Sequence, residues 1–134
     1  MNGKIGLILI LETLMNKDPK RGEICLVNLD PTIGVEIKKT RPAIVINSNI
    51  IGKLSLKLVV PITDWKPDFS NNLWHLRLTP NSENGLRKLS AADALQLRSI
   101  DQRRFIRQLG ILSTSDLQEV ITAIAIIIEY QPPL

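Results

Sequence analysis

Two positions in this chain join a chemically useful side chain to a backbone that would hold it still. In Lys38-Lys39-Thr40-Arg41-Pro42-Ala43 the proline ring biases Arg41 toward an extended conformation, and an apolar strand follows at once. A guanidinium so placed is a forked, permanently charged donor suited to phosphate oxygens. In Val60-Pro61-Ile62-Thr63-Asp64 an apolar strand ends in a hydroxyl and then a carboxylate. Each position also has an ordinary reading, Arg41 as a surface residue at a strand start and Thr63 as a β-branched strand or turn residue. His75, the only histidine, lies in Leu73-Trp74-His75-Leu76-Arg77-Leu78-Thr79, where strand alternation puts His75, Arg77 and Thr79 on one face. Imidazole titrates near neutrality and suits proton transfer; a half-buried polar strand residue is the plainer alternative.

The cationic side chains cluster. Lys38, Lys39 and Arg41 sit together, Lys53 and Lys57 follow, and residues 98–107 read RSIDQRRFIR, four arginines against one aspartate. The net charge is only +4, from 17 Lys and Arg against 13 Asp and Glu, so local patches rather than total charge would draw a polyanion such as a phosphate backbone. A solvated face of paired charges is the competing reading. A single cysteine, Cys25, excludes an internal disulfide, and with a single histidine it excludes a Cys/His zinc cluster. The serine-hydrolase elbow, the zinc-protease helix motif and the glycine-rich phosphate loop are all missing, which removes the familiar hydrolase classes.

The elements that must carry these groups read as mainly β. With 134 residues, 44% hydrophobic and 22% charged, the chain suits one compact domain. Pro31, Gly34, Pro42, Gly52, Pro61, Pro67, Pro80 and Gly85 divide Val-, Ile- and Leu-rich runs at the spacing of a small all-β sheet or barrel. Strands are expected over Glu23–Leu29, Ala43–Asn47, Leu54–Ile62 and Leu73–Thr79, with short ones near Leu86–Leu89 and Leu95–Leu97. The period then changes to helical: Ser113 to Asp116 offer N-caps, Ser115 with Gln118 fits a capping box, and Leu117, Val120, Ile121, Ile124 and Ile128 share a face. Pro132-Pro133 ends the helix. From Ile121 to Ile128 only Thr122 is polar, so this helix needs cover from the sheet and from a second subunit. Residues 1–20 read as a leader outside the core and 21–134 as the domain. The apolar run Ile5 to Leu11 is too short to span a bilayer and no cleavage site follows, so a cytoplasmic protein is expected.

Five blocks together carry a resemblance: Arg21-Gly22-Glu23-Ile24, Leu29-Asp30-Pro31-Thr32-Ile33-Gly34-Val35-Glu36, Lys38-Lys39-Thr40-Arg41-Pro42-Ala43-Ile44-Val45-Ile46, Val60-Pro61-Ile62-Thr63 and Leu95-Gln96-Leu97-Arg98-Ser99-Ile100-Asp101. In order and spacing they resemble the MazF/PemK family of toxin endoribonucleases, the mRNA interferases, over about residues 21–130. The resemblance implies a small SH3-like β-barrel with a C-terminal helix, the CcdB/PemK-like toxin fold, paired as a homodimer. It implies the toxin of a type II toxin-antitoxin system, which cuts single-stranded RNA with no metal or other cofactor and is restrained by a cognate antitoxin protein. No membrane partner is implied. Carried over residue by residue, it makes Arg41 and Thr63 catalytic, puts Gln96 and Arg98 near the substrate groove and has the loop from Thr32 to Thr40 flank or cover RNA. Glu36, Lys38 and Lys39 of that loop, His75 and Arg77 of the polar strand face, and Gln96 and Arg98 are the expected RNA-binding residues.

Two positions depart from the family pattern. Cys25 stands where an aromatic is common, and Asp64 follows Thr63 where a small hydroxyl residue is usual. A carboxylate there repels a phosphodiester unless it points away or pairs with a cation such as Lys66. The rival readings are a non-catalytic CcdB-like toxin and a degenerate relative that binds only its antitoxin or nucleic acid.

Overall fold

The computed structural model describes residues 18–133, so residues 1–17, most of the expected leader, lie outside the described residues. In chain order the elements are β1 Glu23–Asn28, β2 Thr40–Val45, β3 Leu56–Asp64, β4 His75–Leu78, β5 Ser90–Asp93, β6 Arg98–Asp101, β7 Phe105–Ile111 and the helix α1 Thr114–Ile127. All strand pairs are antiparallel. The hydrogen-bonded path runs β4-β5-β3-β2-β1-β7, with β6 added to β3. Ile24, Ile44, Val60, Ile62, Leu78 and Ala92 form one core with Leu112 and with Val120 of α1. Cys25, Val27, Ala43, Val45 and Val59 alternate with them and form a second core with Ile100 and Phe105. Burial on both faces explains why β1 to β3 read as near-continuous apolar runs.

β3 is shared between two ladders. Its first half pairs with β2, ending at Ala43↔Pro61, and with β6. Its second half leaves β2 and pairs with β5 through Ile62↔Ala92, Thr63↔Ala91 and Asp64↔Ser90. The changeover falls at Pro61, which has no N–H to give a ladder.

The mainly-β fold with a C-terminal helix is as expected, but the ladder does not close into a barrel: β4 and β7 are its free ends. The gap is filled by packing. Ile111 N–H donates to Glu83 O at 2.8 Å, and a Cβ on Gly85 (φ +69) would lie 2.1 Å from Leu109 O. On Gly110 a Cβ would lie 2.3 Å from Glu83 O. Only glycines let the β4–β5 connection approach β7 this closely.

Some expected elements move. The strand near Leu86–Leu89 is instead β5, four small or acidic residues with little β propensity that are buried because β3 and β4 flank them. Leu95–Leu97 overlaps a 3-10 turn over Ala94–Gln96. The helix is capped by Ser113, whose Oγ accepts from Asp116 N–H at 3.1 Å, so Ser115 already lies inside it. α1 buries Val120 and Ala123, while Ile126 remains half exposed and Ile128, just past its end, more so. Ahead of β1, Asp18 accepts from Lys57, which is 3% exposed, at 2.8 Å. Hydrogen bonds from Lys20 and then Lys57 hold the Asp18 carboxyl down to about 2 from 3.8.

Candidate functional site

Beyond Ala43↔Pro61, Arg41 and Thr63 each lie two residues further along β2 and β3. An even step keeps a side chain on the same face, so both emerge on the side that carries Ala43 and Pro61. Thr63 pairs with Ala91, which pairs in turn with Arg77, bringing Arg77 to that face as well. Arg77 Cζ sits 5.6 Å over the Trp65 ring, a cation–π contact.

Arg41 and Thr63 both line a cavity of about 290 Å³ at the place where β2 and β3 part. Leu26, Pro42, Ile62 and Leu109 are among the apolar residues that line it, and Arg41, Arg87, Lys88 and Arg107 are its cationic ones. The carboxylate in its lining is that of Asp64, and Lys88 Nζ lies 3.1 Å from Asp64 Oδ1. The neutralising cation is therefore Lys88 and not the expected Lys66. The register explains it: Asp64 pairs with Ser90, and Lys88 lies two residues ahead of Ser90 in the segment that leads into β5. Arg41 Nε is buried and has no hydrogen-bond partner among the described residues. A buried guanidinium donor left open beside a cationic cavity is the arrangement that an anionic oxygen would complete.

The other expected site residues divide between a second groove and the surface. Glu36, Gln96 and Arg98 line a groove of about 550 Å³ under the β1–β2 loop, together with Trp74 and Asp93. Arg98 donates to Leu29 O at 3.2 Å, and Glu36 Oε1 accepts from Ile33 N–H at 2.7 Å within the loop. Lys38 and Lys39 are exposed on the same loop. His75 is nearly buried, stacked on Phe69 at 3.7 Å, with Nε2 3.3 Å from Asp93 Oδ2 and Nδ1 3.0 Å from Asn72 Nδ2. Both of its nitrogens are already engaged.

The arginine-rich run is dispersed by its geometry. Arg103 pairs with Asp101 at 3.0 Å, and Arg104 donates to the carbonyls of Asn28 and Asp30. Arg107 alone of that run reaches the 290 Å³ cavity. Sequence reasoning singled out neither Arg87, Lys88 nor Asp93. The first two reach the cavity through the long-range glycine contacts, which leave no local signal.

Fold and cavity together define a small antiparallel β domain that presents a cationic, hydroxyl-bearing cleft at a seam between two ladders. Residues 20–128 match the family described as PemK-like, MazF-like toxin of type II toxin-antitoxin system, and the chain belongs to that family. Endoribonuclease MazF9 of Mycobacterium tuberculosis is 31% identical over 111 residues, which span 78% of this chain and 92% of that protein. Among solved structures, MazF from Deinococcus radiodurans superposes with a TM-score of 0.68 at 24% identity, covering 84% of this chain and 97% of that one. An endoribonuclease from a mycobacterial species, solved in complex with its cognate antitoxin, gives 0.67 at 16% identity, covering 86% and 99%. These structural likenesses bear on the fold.

Proposed function

We propose that this toxin is a metal-independent endoribonuclease that cleaves single-stranded RNA, with Arg41 and Thr63 as its catalytic residues. The observation that carries the reading is that Arg41 and Thr63 line one cavity rich in cationic residues, with Arg41 Nε buried and unpartnered among the described residues. The RNA 2'-hydroxyl attacks its own phosphorus, the P–O5' bond breaks, and the products are a 2',3'-cyclic phosphate and a 5'-hydroxyl. The 2'-proton leaves as the nucleophile forms, and the departing 5'-oxygen gains one. The protein has only to orient the phosphodiester and stabilise its developing charge. Arg41 holds the non-bridging oxygens and Thr63 hydrogen-bonds one of them or assists proton transfer. Lys88 neutralises Asp64, so the departure from the family pattern does not oppose substrate. Lys38, Lys39, Arg77 and Arg98 steer the strand, and the engaged nitrogens of His75 favour a supporting role over direct contact.

The test is incubation of the purified protein with a long single-stranded RNA in EDTA, with mapping of the new ends. Cyclic-phosphate and 5'-hydroxyl termini are expected; intact RNA would replace the enzyme reading with that of a binder. The mycobacterial relative solved with its antitoxin supports an antitoxin partner here too. The exposed Leu73, Ile126 and Ile128 support a homodimer, checked by light scattering. The cytoplasm, where mRNA is found, is the proposed compartment; among the described residues no helix is long and apolar enough to cross a membrane.

A further inference from the structure

The β1–β2 loop is thinly held. Leu29 N–H to Lys39 O at 2.9 Å and Lys39 N–H to Asp30 Oδ1 at 3.0 Å close its base. Its tip is exposed, with Val35 at 96%. Among the described residues, the hydrogen bonds that tie residues 33–37 to the rest of the fold come from the Gln96 amide. Oε1 accepts from Ile37 N–H at 2.6 Å, and Nε2 donates to Val35 O at 3.3 Å. One side chain thus offers a C=O and an N–H to two loop residues, as a neighbouring strand would.

A glutamine amide can lie either way round, and only one way makes both bonds. Asp93 selects it. Its Oδ2 lies 3.3 Å from Gln96 Nε2, and an ionised carboxylate only accepts, so the amide N–H must face it and Oε1 must face the loop. Asp93 is itself buried and oriented, by Leu95 N–H on Oδ1 at 3.2 Å and by His75 Nε2 on Oδ2 at 3.3 Å. Asn72 Nδ2 faces His75 Nδ1, which leaves the ring proton on Nε2, toward Asp93. Phe69 stacks on the same ring.

We propose that Asp93, oriented by His75, is a positioning residue that sets the Gln96 amide and so latches the β1–β2 loop, whose far end runs directly into Arg41. This goes beyond the nuclease reading and rests on it only for the identity of the ligand that the loop meets. Asp93→Asn keeps shape and the bond from Leu95 but turns an acceptor into a donor, so the Gln96 amide is forced to reverse. Losing one hydrogen bond raises amide exchange at Ile37 by about tenfold. The double variant Asp93→Asn with Gln96→Glu gives up the bond to Val35 O but restores an acceptor facing the new donor and another facing Ile37 N–H. Its exchange returns to within about threefold of the natural protein.

The experiment is hydrogen exchange of the loop in the full chain, read with cleavage kinetics on single-stranded RNA. Asp93→Asn is expected to raise KM several-fold while kcat stays within about twofold, because a loosened loop costs binding and leaves Arg41 and Thr63 in place. If the single variant folds poorly, Gln96→Leu removes the tie without touching Asp93 and must give the same faster exchange. Unchanged exchange at Ile37 in a folded Asp93→Asn or Gln96→Leu protein overturns the latch. Failure of the double variant to restore protection overturns the orienting role of Asp93. A protein that cleaves no RNA would sink the nuclease reading alone, since the exchange measurement needs no substrate.

Discussion

Arg41→Met separates what the arginine does for the fold from what it does for a ligand. Methionine keeps an unbranched apolar stem of similar reach and removes the guanidinium. In the natural protein Arg41 Nε is a buried donor without an acceptor among the described residues, a situation that costs about 1–3 kcal/mol. The same cavity holds Arg87, Lys88 and Arg107, and the carboxylate in its lining already belongs to Lys88. Deleting the Arg41 charge therefore relieves both desolvation and repulsion. Allowing for lost packing, the variant should be more stable by about 1 kcal/mol, a rise in Tm of roughly 3–6 °C for a domain of this size. RNA cleavage should fall about a hundredfold or more, and Arg41→Lys, which keeps the charge and loses the fork, should lie between. Thermal unfolding without RNA and end-mapped cleavage in EDTA measure the two effects. A less stable Arg41→Met protein would refute the account of the open donor, and unimpaired cleavage would remove Arg41 from the mechanism.

Thr63→Val, nearly isosteric, should lower cleavage about tenfold or more with little change in Tm; equal activity would reduce Thr63 to a strand residue. Asp18→Asn should cost about 1 kcal/mol because it strands the buried Lys57 charge, and adding Lys57→Met should recover most of it in urea unfolding. The Asp18 carboxyl is depressed in the folded state, so its contribution is complete above about pH 4 and fades as pH falls toward 2. Solvent screening limits that contribution to about 1 kcal/mol, and an acid titration of Asp18→Asn should lack it. Gly85→Ala should destabilise by about 2 kcal/mol or more, since its Cβ would meet the Leu109 carbonyl at a positive φ; a neutral effect would mean the β4–β5 connection yields easily. Lys38→Ala with Lys39→Ala should weaken RNA binding and flatten its salt dependence, measured by titration at several ionic strengths.

β1, β2 and β3 are readable in the chain because β-branched runs between prolines and glycines dictate them, and α1 because its isoleucines recur at helical spacing. β5 is not readable: Ser90 to Asp93 become a strand only because β3 and β4 lie on either side. β7 is masked by the arginines of residues 98–107, whose charges draw attention from the alternation of Phe105, Arg107 and Leu109. At the site, Arg41 stands out through the proline behind it and Thr63 as the hydroxyl that ends an apolar strand, while the family resemblance is what joins the two in one expected role. Asp93 carries no local signal, since its importance lies in which way round it turns an amide from another turn. The same holds for Lys88, whose partner could be named only once the β3–β5 register was known.

The parting of β2 from β3 has a pharmacological consequence. Arg41 and Thr63 belong to strands that have ceased to share a rung by the time they reach the cavity, so no backbone bond fixes the width between them. A small dianion gripping both side chains would act as a splint across that opening, blocking the cleft and stiffening the scaffold in one act. Screening for molecules that raise the melting temperature would therefore enrich for inhibitors, and would do so without any knowledge of the preferred RNA sequence.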